Sequence, residues 1–448
     1  MSESGNTDVE ELKNRQNEKQ RFWESGRHMK KKVGIIGGGA SGMMAAVTAA
    51  GAADVTILEH TARIGKKILS TGNGKCNYTN RTLSKDDYYC DHPSFVAHAL
   101  SQFDDQAASV FFAAHGMLTS EKRDGYCYPY TGQAATVLNV LRMLLEEKGV
   151  TVKTEQEIEG ITAGKDGFIV KTRTDRYRFD KLILACGGNA APQTGSDGSG
   201  YALAKSLGHT LRRPYPALTY LLTKDPACKE LAGVRANALL TLYVDGEKVQ
   251  TEEGELQLNK DSLSGIPVFQ LSHRAVQALA AKKKTTVSVD FLPQLGEEEL
   301  LHMLTELQKQ YGKQPVEEGL ALFLHKKICG ALLHRLSLPF QQEMHTVSDK
   351  QLKKLARLCK GFMFKMSGYP GFDKAQVTMG GIPVSEIDDT MQSRKVKGLY
   401  FAGEIIDVDG RCGGYNLQWA WTSGHIAGLH CCDQENVSEN RETERENR

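Results

Sequence analysis

The sequence of 448 residues lacks several features that would assign it to a membrane, a secretory route or a metal site. No run of about 18 apolar residues is present, so no membrane span is predicted, and the N-terminus carries no apolar signal core. The ten cysteines include no Cys-x-x-Cys pair and no zinc-type spacing with histidine. Reduced thiols, no metal and a cytoplasmic location are therefore expected. The net charge of +2 gives no bulk attraction to a polyanion.

A glycine-rich turn between two apolar segments is the most informative pattern present. Residues 33–36 are typical of a buried strand, and Gly37, Gly39 and Gly42 follow them in the spacing G-x-G-x-x-G. An alanine-rich helix then leads to a second apolar strand that ends at Glu59. In dinucleotide-binding folds such glycines allow a tight turn, close approach of a pyrophosphate and close helix packing, and the acid accepts hydrogen bonds from a ribose. The pattern predicts a bound dinucleotide.

The order of the predicted elements indicates a dinucleotide-binding domain that is interrupted by a second domain. Strands and helices alternate in the first part of the chain, strands dominate near residues 215–258, and residues 297–362 have helical periodicity. The predicted segments are a disordered N-terminal arm (1–30), the first part of the dinucleotide-binding domain (31–204), an inserted substrate domain (205–372, β-rich at 205–295 and helical at 296–362), the second part of the dinucleotide-binding domain (373–432) and a disordered tail (433–448).

Three later features favour FAD over NAD as the bound dinucleotide. A predicted hairpin is followed by the buried strand of residues 182–186, and a late strand ends at Gly403 and Glu404. Gly413 and Gly414 open the last helix, whose N-terminus is suited to stabilise negative charge on a reduced flavin ring. No second G-x-G-x-x-G follows a strand, so NAD(P)H is expected to approach the flavin directly, unless another reductant supplies the electrons.

Three strings in this chain resemble signatures of the BaiN/RdsA family of FAD-dependent oxidoreductases: residues 65–80, 378–382 and 413–421. The resemblance spans roughly residues 31–432, with conservative departures at Thr71, Asn73 and Lys75. It implies an α/β fold, a Rossmann-like FAD-binding domain with an inserted β-barrel-like piece and a helical subdomain. It also implies reduction of a carbon–carbon double bond, in 3-oxo bile acid intermediates for some members and in uridine of ribosomal RNA for others.

The residues predicted to contact the cofactor lie in the glycine turn, in the loop at 72–77 and at the ends of later strands. They are Gly37, Gly39, Ala40, Ser41, Gly42, Glu59, Lys67, Gly72, Asn73, Gly74, Lys75, Cys76, Asn77, Ile158, Ala185, Gly187, Gly403, Glu404, Gly413, Gly414, Asn416 and Leu417. The turn of residues 194–200 is either a further source of N–H groups for a ligand or a plain capped turn.

Reduction of a double bond conjugated to a carbonyl needs a hydride from the flavin and a proton from a nearby acid. Cys76 is the first candidate for that acid, and the alternative is a small buried thiol packed under the flavin. Cys412 and Tyr415 are further catalytic candidates. Tyr126 and Tyr128 also carry phenols that can donate a proton or stack on a substrate.

Two substrate classes stay open, because a 3-oxo-steroid and a uracil both contain an alkene conjugated to a carbonyl. Residues 321–365 hold nine Lys or Arg against two Asp or Glu, which favours RNA. Apolar runs at 320–324 and 361–364 favour a hydrophobic pocket. The near-neutral charge favours a small-molecule enone, best matched by a 3-oxo-4-ene or 4,6-diene bile acid. Ribosomal RNA is the alternative, and a non-catalytic flavin protein is a third reading.

Overall fold

The computed structural model describes residues 30–432, so the predicted tail and all of the predicted arm except Lys30 lie outside the described residues. No helix within that part of the chain is long and apolar enough to cross a membrane. The strands are β1 (Lys32–Ile36), β2 (Asp54–Leu58), β3 (Thr79–Asn80), β4 (Tyr88–Tyr89), β5 (Thr119–Glu121), β6 (Tyr126–Pro129), β7 (Thr151–Lys153), β8 (Ile158–Gly164), β9 (Gly167–Thr172), β10 (Arg176–Phe179), β11 (Lys181–Leu184), β12 (Tyr215–Ala217), β13 (Leu221–Thr223), β14 (Arg235–Val244), β15 (Glu247–Leu258), β16 (Ser262–Ser264), β17 (Thr285–Asp290), β18 (Phe362–Gly368), β19 (Val377–Met379), β20 (Leu399–Phe401) and β21 (Asp409–Gly410). The helices are α1 (Ala40–Ala49), α2 (Lys66–Ser70), α3 (Pro93–Gln102), α4 (Asp105–Ala114), α5 (Ala134–Glu147), α6 (Ser199–Ser206), α7 (Ala227–Glu230), α8 (Ile266–Ala280), α9 (Glu297–Gln310), α10 (Val316–Leu320), α11 (Lys326–Leu336), α12 (Asp349–Lys360) and α13 (Tyr415–His430).

A parallel sheet in the order β20-β11-β1-β2-β7 forms the centre of the first unit, which we call the sheet unit. Its middle strand β1 is apolar and buried, with Val33 and Ile35 fully covered. The chain continues from β1 to β2 on one side, and β11 lies on the other side, so the direction of winding reverses at β1. In open α/β sheets a crevice forms beyond the carboxyl ends of the strands at this point, and ligands bind there.

Helix α13 packs directly on α1, and this packing fixes where the start of α13 lies relative to the sheet. A Cβ built on Gly424 would lie 2.4 Å from the carbonyl oxygen of Ser41, and one on Gly428 would lie 2.4 Å from that of Ala45. Because both contacts advance together along the chain, the two helices run parallel. Tyr415 begins α13 nine residues before Gly424, so its N-terminus lies about 13 Å beyond the start of α1 at 1.5 Å per residue.

A closed barrel in the order β13-β16-β15-β14-β17-β18 forms the second unit. Along β14 the residues Ala238, Leu240 and Leu242 alternate into its core, as a half-buried strand requires. Helices α9 to α12 cover an apolar cluster that is continuous with the barrel. A separate apolar cluster lies in the sheet unit, with residues from 33–204 and from 382–431.

The predicted fold class is confirmed, with a parallel Rossmann-type sheet, a barrel and helices. The hairpin around Gly164 and Gly167 is also found, as is the strand–turn–strand at Asp245 and Gly246. The helical periodicity predicted up to residue 362 is wrong at its end, because α12 stops at Lys360 and Phe362 starts a barrel strand. The sequence pattern did not indicate α8 within the predicted β-rich segment. The domain boundaries themselves stay a prediction.

Candidate dinucleotide cleft and facing surface

A cleft opens at the carboxyl ends of β1 and β11, and we call it the dinucleotide cleft. Its empty space measures about 1460 Å³ including the open mouth. Its walls come from the glycine turn, the segments after β2 and β11, the start of β8 and the start of α13. Among the residues predicted as cofactor contacts, those that line it are Gly37, Gly39, Ala40, Ser41, Glu59, Lys67, Ile158, Ala185, Gly187, Glu404, Asn416 and Leu417.

The three glycines of the turn differ in what surrounds them. Gly37 has φ +106°, and a Cβ there would lie 2.4 Å from the carbonyl oxygen of Ala185. A Cβ on Gly42 would lie 1.9 Å from the carbonyl oxygen of Gly37, so this glycine allows α1 to pack on the turn. A Cβ on Gly39 would meet nothing within 4 Å. The backbone of Gly39 therefore borders open space at the uncapped N-terminus of α1, where N–H groups are available to an anion.

Glu59 is a buried carboxylate at the end of the second strand. Its Oε2 accepts a hydrogen bond from the backbone N–H of Gly38 at 2.8 Å, and its Oε1 accepts one from that of Thr61 at 2.8 Å. Each carboxylate oxygen can accept a further bond. The two backbone bonds hold the carboxylate in place on the wall of the cleft, while acceptor capacity is left for a ligand hydroxyl.

An ion pair between Lys67 and Glu404 spans the cleft. The Lys67 Nζ lies 2.6 Å from the Glu404 Oε2 and 3.5 Å from the Ser196 Oγ. The other carboxylate oxygen, Oε1, accepts a hydrogen bond from the backbone N–H of Thr378 at 2.7 Å. Glu404 thereby connects the strand β19 to helix α2, which carries Lys67, and Lys67 supplies a cation in the wall of the cleft.

Sequence reasoning missed part of the cleft wall. The turn before α6 lines it through Thr194, Gly195, Ser196 and Asp197, and both readings of this turn stay open. Two further cations, Arg63 and Lys66, lie on the wall near Lys67. Gln376 and Val377 also line the cleft. They belong to no recognisable motif, because they come from the segment that returns from the barrel.

The loop at 72–77 lies outside the cleft wall. Asn73 and Lys75 are exposed, and the side chain of Asn77 accepts a hydrogen bond from the backbone N–H of Cys127 at 3.0 Å, so it ties the loop to β6. A Cβ on Gly72 would lie 3.7 Å from the ring of Tyr128. This loop therefore packs on β6, and its predicted cofactor contacts stay predictions.

Cys76 is fully buried beneath that loop, with φ +57°. Burial raises the pKa of its thiol to about 12 against the effect of a hydrogen bond with Thr71. The thiol therefore stays protonated at neutral pH, and its full burial closes it off from an acceptor. Of the two readings, the geometry favours the buried packing thiol over the proton donor.

The first residues of α13 are positioned by contacts from both units. Gly413 and Gly414 have φ +128° and +101°, and Asn80 donates a side-chain hydrogen bond to the carbonyl oxygen of Gly413 at 2.9 Å. The side chain of Asn416 accepts from the backbone N–H of Gly410 and donates to its carbonyl oxygen, both at 2.8 Å. The amide of Asn416 is thus used to close the turn in front of the helix.

Helix α8 of the barrel unit holds the same segment from the other side. The Gln270 Oε1 accepts a hydrogen bond from the Cys412 backbone N–H at 2.9 Å, and its Nε2 donates to the Cys412 carbonyl oxygen at 3.1 Å. His273 Nδ1 lies 2.8 Å from Asp409 Oδ2 in a buried pair, and the ring of Tyr89 stacks on His273 at 3.6 Å. These contacts fix residues 409–412 against the barrel.

Cys412 and Tyr415, the other predicted catalytic residues, lie at this segment. Burial raises the pKa of the Cys412 thiol to about 11. The Tyr415 side chain is buried, and its hydroxyl lies 3.2 Å from the Thr82 Oγ1. Neither residue lines the dinucleotide cleft. We use the term facing surface for the region formed by Tyr126, Tyr128, Gly72, Cys412 and Gly413.

Comparison with known sequences identifies the family. A model described as the HI0933-like protein Rossmann domain matches residues 31–430. The chain belongs to this family. The HI0933-like match covers both the sheet unit and the barrel unit, and it confirms the relationship that the signature strings suggested.

Curated relatives match over nearly their whole length. A 3-dehydro-bile acid Δ(4,6)-reductase of Clostridium scindens is 40% identical over 401 residues, which is 89% of this chain and 98% of that protein. A ribosomal RNA dihydrouridine synthase of Escherichia coli is 28% identical, covering 87% of this chain and 95% of that protein. The corresponding Haemophilus influenzae protein is also 28% identical, covering 88% and 97%. The predicted enzyme class, an oxidoreductase, is confirmed; NAD(P)H as donor stays a prediction.

Proposed function

We propose that the protein is an FAD-dependent reductase of a carbon–carbon double bond conjugated to a carbonyl, acting on a 3-oxo-4-ene or 4,6-diene steroid acid of the bile-acid type. The observation that carries this proposal is the 40% identity, over nearly the full length of both chains, to a 3-dehydro-bile acid Δ(4,6)-reductase. The two ribosomal RNA enzymes are less similar, at 28% identity.

The residues of the dinucleotide cleft fit FAD. Gly39 borders open space at the start of α1, where backbone N–H groups suit a pyrophosphate. Glu59 is anchored and retains acceptor capacity for ribose hydroxyls. Lys67, together with Arg63 and Lys66, supplies positive charge for the phosphates. The roughly 13 Å offset between the starts of α1 and α13 leaves room for a long cofactor that reaches both helix termini.

When bound, FAD supplies the hydride for the double bond. Among this chain's own residues, the glycine turn and Glu59 would hold the adenosine end, and Lys67 would neutralise phosphate charge. The uncapped start of α13 at Gly413 and Gly414 presents N–H groups that suit negative charge on the ring or on the acceptor. The barrel unit, through Gln270, fixes that helix start and would complete the acceptor side.

The RNA alternative rests on a basic segment whose charges are partly used within the protein. Arg335 pairs with Asp225 at 2.9 Å, Arg357 with Glu297 at 2.9 Å, and Lys360 with the Asp290 carboxylate at 2.6 Å. The apolar run at 361–364 is no stronger as evidence for a steroid pocket, because Phe362 and Phe364 are fully buried in the barrel core. Neither segment decides the substrate, so the choice of a steroid acid rests on the identity to the 3-dehydro-bile acid Δ(4,6)-reductase.

The proposal is tested by anaerobic reoxidation of the FAD-loaded, chemically reduced protein. A 3-oxo-4,6-diene bile acid and ribosomal RNA lacking dihydrouridine are offered separately, and the return of oxidised flavin absorbance is followed. Reoxidation by the steroid, with the saturated product formed in equal amount, supports the proposal. If only RNA reoxidises the flavin, the protein is a uridine reductase and the steroid proposal is wrong. If neither acceptor reoxidises the flavin, the protein is a non-catalytic flavin protein.

A further inference from the structure

Strand β6 presents two tyrosines on one face. Side chains two residues apart point to the same side of a strand, about 7 Å from each other, so Tyr126 and Tyr128 share a face. Cys127 points to the opposite side and is fully buried in the core. β6 is the middle strand of a small sheet with β3 and β5, which sets this orientation. The two phenols are only half-buried.

The shared face meets the start of α13 and the loop at 72–77. A Cβ on Gly413 would lie 2.7 Å from the ring of Tyr126, and one on Gly72 would lie 3.7 Å from the ring of Tyr128. Cys412 is near enough to both phenols to contribute to their raised pKa. The pair therefore forms the part of the facing surface that lies between the segment held by the barrel unit and the loop at 72–77.

The hydroxyls of this pair differ from those of neighbouring tyrosines. Within residues 30–432 no side-chain hydrogen bond reaches the hydroxyl of Tyr126 or Tyr128. The Tyr78 hydroxyl bonds with Thr119 at 2.6 Å, and that of Tyr88 donates to the Tyr415 carbonyl oxygen at 2.9 Å. A half-buried phenol with no internal partner has its hydrogen-bonding capacity available for a ligand.

Both phenols are neutral donors at physiological pH. Burial raises the pKa of Tyr126 to about 12, and it also raises the pKa of Tyr128. A protonated phenol can hydrogen-bond a carbonyl oxygen and can give its proton to a carbon that has become basic. The thiol of Cys76 is fully buried and less accessible for this role.

We propose that Tyr126 and Tyr128 are the acid pair of the acceptor reaction, one phenol hydrogen-bonding the substrate carbonyl and the other protonating its α-carbon. This rests on the proposed function, in which reduced FAD delivers the hydride. The hydride forms the new C–H bond at the β-carbon as the C=C π bond breaks, and the resulting enolate takes the phenol proton at the α-carbon. The acceptor is reduced by two electrons, FAD is oxidised, and water returns the proton to the phenolate.

The test uses the full chain with FAD bound and compares Tyr126→Phe, Tyr128→Phe and the double variant. Tyr130→Phe is the matched control, because Tyr130 follows the same strand but is 72% exposed. Since neither β6 hydroxyl has an internal partner, we expect unchanged thermal unfolding and FAD content. Flavin reduction by dithionite and anaerobic reoxidation by the 3-oxo-4,6-diene acid, or by ribosomal RNA if only RNA reoxidises the wild type, are measured separately.

We expect reduction of the flavin to be unchanged and reoxidation by the enone to fall about 10²-fold or more in the double variant, the usual contribution of a general acid. At least one single variant should fall by tenfold, and Tyr130→Phe should match the wild type. Reoxidation by the double variant within threefold of the wild type would overturn the tyrosine proposal alone. A wild-type protein that neither acceptor reoxidises would overturn the proposed function, and the tyrosine proposal with it.

Discussion

The dinucleotide cleft and the facing surface are built in different ways. One stretch of chain gives the cleft its glycine turn, Glu59 and Lys67, and segments at β8, β11, β19 and the start of α13 complete the wall where the strand order reverses. The facing surface joins β6, the loop at 72–77 and the start of α13, and α8 of the barrel unit holds it in place. The comparison indicates that a local run of sequence determines the glycine turn and Glu59, whereas the facing surface depends on how distant segments pack.

The largest effect should come from filling the tightest glycine of the cleft. In Gly42→Ala the new methyl would lie 1.9 Å from the backbone carbonyl oxygen of Gly37. A backbone atom cannot move aside as the end of a flexible side chain could. We expect a loss of about 3 kcal/mol of unfolding free energy and little retained FAD. Thermal unfolding and the flavin content of the purified protein measure both effects.

Gly39→Ala separates cofactor binding from folding in the same turn. Its Cβ would meet no protein atom within 4 Å, and its φ of −81° suits alanine. We expect unchanged unfolding of the apoprotein but weaker FAD binding, because the methyl occupies the space of the pyrophosphate. Gly51→Ala, also free of contacts within 4 Å, is the control for both readouts. Equal FAD affinity in Gly39→Ala and the wild type would place the cofactor elsewhere.

The contact that joins the barrel to the facing surface gives the next effect. In Gln270→Ala the backbone N–H and carbonyl of Cys412 lose their partner amide, at a cost of about 1–3 kcal/mol. We expect a lower melting temperature and slower reoxidation by the acceptor, with FAD affinity retained. Lys283, exposed just after the same helix, provides the control variant Lys283→Ala. Slower reoxidation in both variants alike would remove the specific role of Gln270.

A smaller effect is expected at the ion pair of the cleft. Lys67→Met removes the cation 2.6 Å from Glu404 and leaves that carboxylate facing the phosphates. We expect FAD affinity to fall about tenfold, or roughly 1.4 kcal/mol, by titration of the apoprotein. Lys148→Met, an exposed lysine at the end of α5, should not change it. An unchanged affinity for Lys67→Met would mean that the pair is only structural.

The smallest effect is expected at Cys76. Its thiol is fully buried and closed off from an acceptor, so Cys76→Ala should slow reoxidation by the acceptor less than threefold. Rapid-mixing measurements of both half-reactions check this against Cys127→Ala, another fully buried thiol. A 10²-fold loss in Cys76→Ala alone would restore Cys76 as the proton donor.

The sequence could predict the elements whose signals are local. Gly37, Gly39 and Gly42 have the predicted surroundings, and Glu59 is held at the predicted strand end, because a short run of chain determines each of them. The pairing of Lys67 with Glu404 could not be predicted, since 337 residues separate them. The loop at 72–77 packs on β6 beside the two phenols, and its predicted contacts with the cofactor stay predictions. Helix α8 and the hydrogen bonds of its Gln270 with Cys412 could not be predicted either, because no sequence motif marks them.

A structure of the protein with FAD bound tests the division between cleft and facing surface most directly. The account predicts the adenosine diphosphate against Gly39 and Glu59, and the flavin ring at Gly413 and Gly414 with one face toward Tyr126 and Tyr128. A ring that lies away from the start of α13, or that is separated from both phenols by protein, would contradict it.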